Sequence, residues 1–321
     1  MRYLNLKEII VKKIKKQGGW VNSHAHLDRA YTLTWAKYHL MNKKREEKWA
    51  LNRDIRRSST VNQIYDRMAR ATETLLGQNC FVTGSFIDVD ADVKDKAIKA
   101  AVKVRQRYPE MTYRFMNQSS YGILNKEGRE WFEVGADFVD IIGGLLKADQ
   151  GREVEHLDIL LTAAKKRNKM VHIHVDENNI RQEKETEIVC KKIIEHKMHN
   201  KVVGIHGISI NAHSKAYRER LYSLIKKAGL MFVACPMSWI NARRDEQLTP
   251  THNPITPVDE MHPHGIVVAM GVDNIADIFM AYNDANLWND VRLLMECNRF
   301  YDVDEVVKIA THNGRKVLGI Q

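Results

Sequence analysis

Residues 20–28 read Trp20-Val21-Asn22-Ser23-His24-Ala25-His26-Leu27-Asp28, a short run that starts apolar and ends in two histidines one residue apart. In an extended strand, alternate side chains point to the same side. His24 and His26 therefore share a face, and two imidazoles at that spacing form half a metal site. Such pairs also arise by chance. What gives this one weight is the residues that other strands bring to the same end.

Outward from this run the chain repeats the pattern. Phe81-Val82-Thr83, Tyr113-Arg114-Phe115-Met116 and Phe138-Val139-Asp140-Ile141-Ile142 read as strands two to four. Val171-His172-Ile173-His174, Val202-Val203-Gly204-Ile205, Met231-Phe232-Val233-Ala234 and Ile266-Val267-Val268-Ala269-Met270 read as strands five to eight. Most are short and rich in β-branched or aromatic residues, as buried parallel strands should be. Amphipathic segments separate them. Asp92 to Tyr108 carries Ala97, Ala100, Ala101 and Val104 on one face, and His156 to Lys169 carries Leu157, Ile159, Leu160 and Ala163. Tyr217 to Ala228 carries Leu221, Leu224 and Ile225, and Gly229 follows as a stop.

Strand–helix repeats along 321 residues predict an α/β fold, a (β/α)8 TIM barrel. No Gly-rich phosphate turn follows the first strand, which argues against a dinucleotide-binding sheet. No linker or shift in composition appears, so residues 1–321 are expected to form one domain. Residues 31–63 form a long excursion after strand one. Loops after barrel strands overhang the active-site face, so this excursion is expected to be an active-site loop or lid.

Composition narrows the function classes. Hydrophobic residues at 44% and charged residues at 28% describe a globular rather than a disordered chain. No run of about 18 apolar residues exists, so no membrane span is expected. The first residues lack the apolar segment and small-residue cleavage site of a signal peptide, and a cytoplasmic location is the default. Cys80, Cys190, Cys235 and Cys297 lie far apart and read as reduced thiols. The net charge is +10, and much of it sits in Lys43, Lys44, Arg45, Lys48, Arg53, Arg56 and Arg57. Glu46, Glu47 and Asp54 are interleaved and no nucleic-acid motif accompanies the run, so a solvated helical face is expected. The competing reading is a basic, catalytically silent barrel that binds nucleic acid.

Three further motifs fall at strand ends. His174-Val175-Asp176-Glu177 closes strand five, with His174 able to ligate and Glu177 just beyond. His172 shares that parity but lies deeper, and reads as a hydrogen-bonded interior histidine. Gly204-Ile205-His206-Gly207 closes strand six. Gly271-Val272-Asp273-Asn274 closes strand eight, which in a barrel lies beside strand one. Barrel active sites are built at this end of the strands.

Taken in order, VNSHAHLD, HVDE, GIHG and GVDN resemble the amidohydrolase superfamily, and within it the cytosine deaminase-like branch. Gly135-Ala136-Asp137-Phe138, Ala234-Cys235-Pro236 and Ala310-Thr311-His312-Asn313 extend the resemblance, which covers roughly residues 20–320. It implies one divalent metal ion, Zn2+ or Fe2+, held by His24, His26, His174 and Asp273. It further implies that Glu177 is a proton shuttle and that His206 orients water or polarises substrate. Asp273 would take the proton as water is activated, and Gln118 would hydrogen-bond a pyrimidine-like ring. The implied reaction is deamination of a small heterocyclic base, a cytosine-like aminopyrimidine or related ring, by metal-activated water with release of ammonia. The alternative is release of a substituted amine from a ring, or cleavage of a cyclic amide.

There are departures from the family pattern. The small β-sandwich that relatives build from both chain ends has no room here, and Asp273-Asn274 differs from the usual residues after strand eight. Lys147, after Gly143-Gly144-Leu145-Leu146, lies where binuclear relatives carry a carboxylated lysine. The HxxE pattern goes with the mononuclear branch, so Lys147 reads instead as a surface or substrate-contacting residue. Ser238, Asn241 and Asn274 are candidate substrate contacts. Trp35, Trp49 and Phe279 are candidates to line a pocket for a flat ring. His252, His262 and His264 read as loop histidines. A small-molecule substrate is the expected partner, and a homo-oligomer is compatible with the sequence.

Overall fold

A computed structural model, which describes residues 4–43, 45–240 and 255–320, arranges the apolar runs as eight parallel strands. They are β1 (Trp20–Asn22), β2 (Cys80–Asp88), β3 (Thr112–Gln118), β4 (Ile142–Leu145), β5 (Val171–Val175), β6 (Val202–His206), β7 (Met231–Ala234) and β8 (Val268–Met270). Continuous ladders join β1-β2-β3 and β4-β5-β6-β7-β8. Two narrower seams close the circle. At the first, the N–H groups of Asp140 and Ile141 donate to Phe115 O at 3.0 and 3.1 Å, and Gly143 N–H donates to Asn117 Oδ1. At the second, Ser23 N–H donates to Met270 O at 2.9 Å and Asp273 N–H to His24 O at 3.0 Å. The result is the predicted barrel, with β8 beside β1. Among the described residues no further sheet accompanies these strands.

The strands are buried on both faces, as parallel strands under a helical layer must be. Val21, Val82, Phe86, Met116, Val203 and Val233 belong to one apolar cluster with Val317 and Leu318. Trp20, Ile87, Phe115, Ile173 and Phe232 join the larger cluster shared with the helices. Helices follow the predicted stripes with shifted ends: Lys96–Arg107, Glu153–Lys166 and Lys215–Ala228, the last closed by Gly229 at φ +67°.

The fourth strand differs from expectation. Phe138 ends the helix Lys126–Phe138, and β4 begins only at Ile142. Phe132, Gly135 and Ala136 form the buried face of that helix, and this packing outweighs the β-propensity of the residues around Phe138. The true strand is masked by its two glycines. A Cβ on Gly143 would lie 2.0 Å from Asn117 O, so this close seam admits no side chain.

The excursion after β1 is largely helical, with Trp35–Tyr38, Arg45–Ser58 and the start of Val61–Leu76. Thr60 and Gln63 cap the last of these reciprocally. Arg45–Ser58 is fastened to the barrel mouth. Arg56 is buried, 3.0 Å from Asp88 and 3.3 Å from Asp90, and donates to Ser120 Oγ. Trp49 meets Phe279 beyond β8, with ring centroids 6.1 Å apart. Of the basic run, Lys43 pairs with Glu47, Arg57 pairs with Asp92, and Arg53 lies over the Tyr121 ring. Lys44 lies outside the described residues. The expected solvated face is thus partly an anchoring surface. Among the described residues no helix is long and apolar enough to cross a membrane. Cys80, Cys190, Cys235 and Cys297 are free thiols.

Candidate metal centre and active site

His24 and His26 lie just past β1, where the chain is gripped from both sides. Phe86 N–H donates to Ala25 O at 2.8 Å, and His26 N–H donates to Asp273 O at 3.3 Å. A bridge between Ala25 and Asp273 carries the strand alternation past the end of the ladder. Both imidazoles consequently face inward, and both are buried. His174 on β5 joins them, with ring centroids 5.0 Å from His24 and 5.6 Å from His26. The Phe86 ring packs against all three.

Asp273 completes the group. Its Oδ1 lies 3.1 Å from His24 Nε2 and 3.2 Å from His26 Nε2, and its Oδ2 lies 3.9 Å from His206 Nε2. Ligand atoms of His24, His26 and His174 lie within 4.8 Å of one another, as do those of His24, His206 and Asp273, and those of His174, Glu177 and His206. The four strand-end motifs therefore converge.

The electrostatics suit a cation. Burial holds His26 and His174 well below the usual imidazole range, so both are neutral with a lone pair to offer. Burial alone would raise Asp273, but its contacts with His24 and His26 hold the carboxyl well below the ordinary range. His24 Nδ1 is buried with no hydrogen-bond partner among the described residues. Three imidazoles and one carboxylate form a nitrogen–oxygen donor set suited to Zn2+ or Fe2+. These residues fit a divalent ion.

Strained backbone aims the flanking groups. Asp176, His206 and Asp273 adopt φ of +50°, +80° and +60°, the left-handed region that non-glycine residues rarely occupy. Such strain persists only where surroundings enforce it. At Asp176 the enforcement is visible. Its carboxylate accepts from the N–H groups of Glu185 (2.8 Å) and Thr186 (3.2 Å), while its own N–H donates to Glu185 Oε2 at 2.7 Å. The chain thereby turns at the end of β5 and delivers Glu177 back to His174 and His206. Asp176 and Glu185 were missed in the sequence. The signal available was an acidic residue at the start of the helix Glu185–His196, which reads equally well as ordinary helix-end charge.

Other candidates separate in the fold. Gln118 ends β3, buried, and its Oε1 has no partner among the described residues. Ser238 is buried, but its hydroxyl donates to Asp273 Oδ2 at 2.5 Å, which makes it a support for that carboxylate. Asn274 donates its amide to Asp277 within the β8 loop. His172 Nε2 lies 2.7 Å from Val317 O deep in the barrel, as expected of an interior histidine. Trp35 is 88% exposed and stacks on Tyr38, so it does not line a buried pocket. Trp49 does line a cavity of about 610 Å3, with Ser120, Leu145, Lys147 and Asn178. His262 pairs with Glu305, and His264 contacts Glu219 and Glu260 O. Asn241 and His252 lie outside the described residues. Lys147 Nζ lies 3.2 Å from Glu177 Oε2 and 2.9 Å from Glu183 Oε1. An ammonium suits that setting. A carbamate anion facing two carboxylates does not.

Comparison with known proteins agrees with this geometry. The amidohydrolase family profile matches residues 18–321. An uncharacterized protein of Haemophilus influenzae is 46% identical over 266 residues, spanning 81% of this chain and 96% of the relative. N-isopropylammelide isopropyl amidohydrolase of Pseudomonas sp. (strain ADP) is 22% identical over 94% of this chain and 74% of its own. Among solved structures, 5-methylcytosine deaminase from Klebsiella pneumoniae, liganded with 5-fluorocytosine, superposes with a TM-score of 0.85 at 21% identity, covering 94% of this chain and 74% of that one. With the barrel, the converged donor set and a family match over nearly its whole length, this chain belongs to the amidohydrolase family and is a metal-dependent hydrolase of C–N bonds.

Proposed function

We propose that the enzyme deaminates a small nitrogen heterocycle, a cytosine-like aminopyrimidine or a related ring, and releases ammonia. The observation that carries this reading is the grouping of Glu177 and His206 with His174, together with Gln118 at the end of β3, whose buried Oε1 has no hydrogen-bond partner among the described residues. His24, His26, His174 and Asp273 would hold one Zn2+ or Fe2+. A divalent ion there supplies Lewis acidity that makes water a nucleophile near neutral pH.

The protein's own groups do the rest. Gln118 Oε1 accepts a ring N–H and orients the ring. His206 polarises the carbon under attack or aligns the water. Asp273, anionic at neutral pH, accepts a proton as the water adds. Glu177 carries a proton to the ring nitrogen and then to the departing amine, a role worth about 10²–10⁴-fold in rate. Lining by Trp49 and burial of the group keep bulk water away. The excursion 31–63, fastened through Arg56, serves as a cover over this mouth. Four free thiols fit a reducing compartment.

The test pairs elemental analysis with an ammonia-release screen over aminopyrimidines and aminotriazines, with Glu177→Gln as control. One metal per chain is expected, and a Glu177→Gln enzyme that keeps its metal but loses at least about 100-fold in kcat. A fully active Glu177→Gln enzyme overturns the assignment. A second reading, release of a substituted amine, is favoured by likeness to the isopropyl amidohydrolase and by the cavity of about 610 Å3 beside Lys147. In the same screen it would appear as alkylamine without ammonia.

A further inference from the structure

Lys147 and Glu183 belong to none of the roles above, yet Lys147 touches Glu177 and Glu183 touches Lys147. Lys147 lies in the turn Leu146–Asp149 just after β4, and its ammonium sits between Glu177 Oε2 at 3.2 Å and Glu183 Oε1 at 2.9 Å. Glu183 is itself tied down. It accepts from Asn178 N–H at 2.8 Å, from Asn178 Nδ2 at 2.5 Å and from Ser209 Oγ at 2.8 Å. Ser209 N–H in turn donates to Asp176 O at 3.0 Å, at the strained end of β5. The anchor is thus fixed to the β5 and β6 loops, and Lys147 spans from it to Glu177. The Lys147 side chain is 23% exposed and borders the cavity that includes Trp49, whereas the Glu177 side chain is 5% exposed. A glutamate has three rotatable bonds, and this one is buried between the histidine cluster and the Lys147 ammonium, which borders the cavity.

We propose that Lys147, anchored by Glu183, is a positioning residue: it holds the Glu177 carboxylate at the histidine side of the cavity, in reach of the substrate ring. The inference rests on the reading of Glu177 as proton carrier. Without the ammonium, the carboxylate loses this charge partner and the balance of its contacts shifts. A displacement of about 1 Å in a reacting group costs on the order of 10²-fold in rate.

Lys147→Met keeps the unbranched stem of the side chain and removes the charged end. Its kcat should fall by about 10²-fold with KM changed little, since the ring contacts through Gln118 are untouched. Lys147→Arg, which can still bridge two carboxylates, should recover most of the loss. Glu183→Gln should show a milder loss, and Lys147→Met/Glu183→Gln should be no worse than Lys147→Met alone. Wild-type kcat in Lys147→Met, alongside an inactive Glu177→Gln, overturns the positioning role and leaves the proton-carrier reading standing. An active Glu177→Gln overturns that reading instead. A crystal structure of zinc-loaded Lys147→Met decides the matter without any substrate. Glu177 should leave its wild-type position, and an unmoved carboxylate refutes the proposal. Two metals per chain in the wild type, lost in Lys147→Met, would make Lys147 a bridging ligand and refute it as well.

Discussion

Gly271→Ala probes the seam on which the proposed metal centre is hung. Gly271 lies between β8 and Asp273, and its N–H donates to Ala234 O at 3.0 Å. A Cβ added there would lie 2.6 Å from His24 N and 2.7 Å from both His24 Cβ and His24 O, where ordinary contact begins at 3.4 Å. The obstacles are mostly backbone, so no side chain can swing aside. Either His24 or Asp273 must retreat by about 0.7 Å, and they bear the donor atoms now 3.1 Å apart. Overpacking of this kind costs about 1–3 kcal/mol. For a chain of this size that lowers Tm by a few °C, so the variant should still fold. The damage should fall on the site, with zinc affinity reduced about 10–100-fold, as for other perturbations of ligand orientation. Competition with a chromophoric chelator measures it. Gly135→Ala is the control, because its added Cβ would meet Asn117 Cβ at 2.8 Å rather than a ligand. It should lose stability and keep its zinc affinity. Unchanged zinc affinity in Gly271→Ala, or equal loss in both variants, would refute the reasoning.

Three other outcomes follow from buried polar groups. Arg56→Ala removes the guanidinium from buried Asp90 and leaves Asp88 to Arg29 at 3.7 Å, a loss of about 3 kcal/mol; thermal unfolding should show it, with faster proteolysis within 31–63. Gln118→Leu removes a buried acceptor that has no partner among the described residues, so Tm should hold or rise while kcat/KM falls about tenfold, the worth of roughly one hydrogen bond. Glu185 is pushed up to about 8 by burial, with Asp176 adding to the effect. Its folded-state pKa then exceeds the unfolded value of about 4.3, so the native state holds a proton that the unfolded chain releases. Stability from this group is complete below about pH 4.3 and declines as pH rises to 8. Glu185→Gln, which can still accept from Asp176 N–H, should flatten that decline in urea midpoints taken at pH 5 and pH 8.

The linear chain determined the architecture and the chemistry. Short apolar runs alternating with helical stripes predict the barrel because burial on both strand faces and on one helix face writes directly into residue order. That His24, His26, His174, Glu177, His206 and Asp273 would meet was legible because each lies at or just past the end of a strand, and barrel closure brings strand ends together. What supports them was not legible. Lys147 and Glu183, Ser238 at Asp273, Asp176 at Glu185 and the Phe86 ring beneath the imidazoles are pairings between loops whose separation in sequence carries no periodic signal. β4 was misplaced for a related reason. Its glycines answer to the Asn117 carbonyl on a neighbouring strand, and that contact exists only once the sheet has closed.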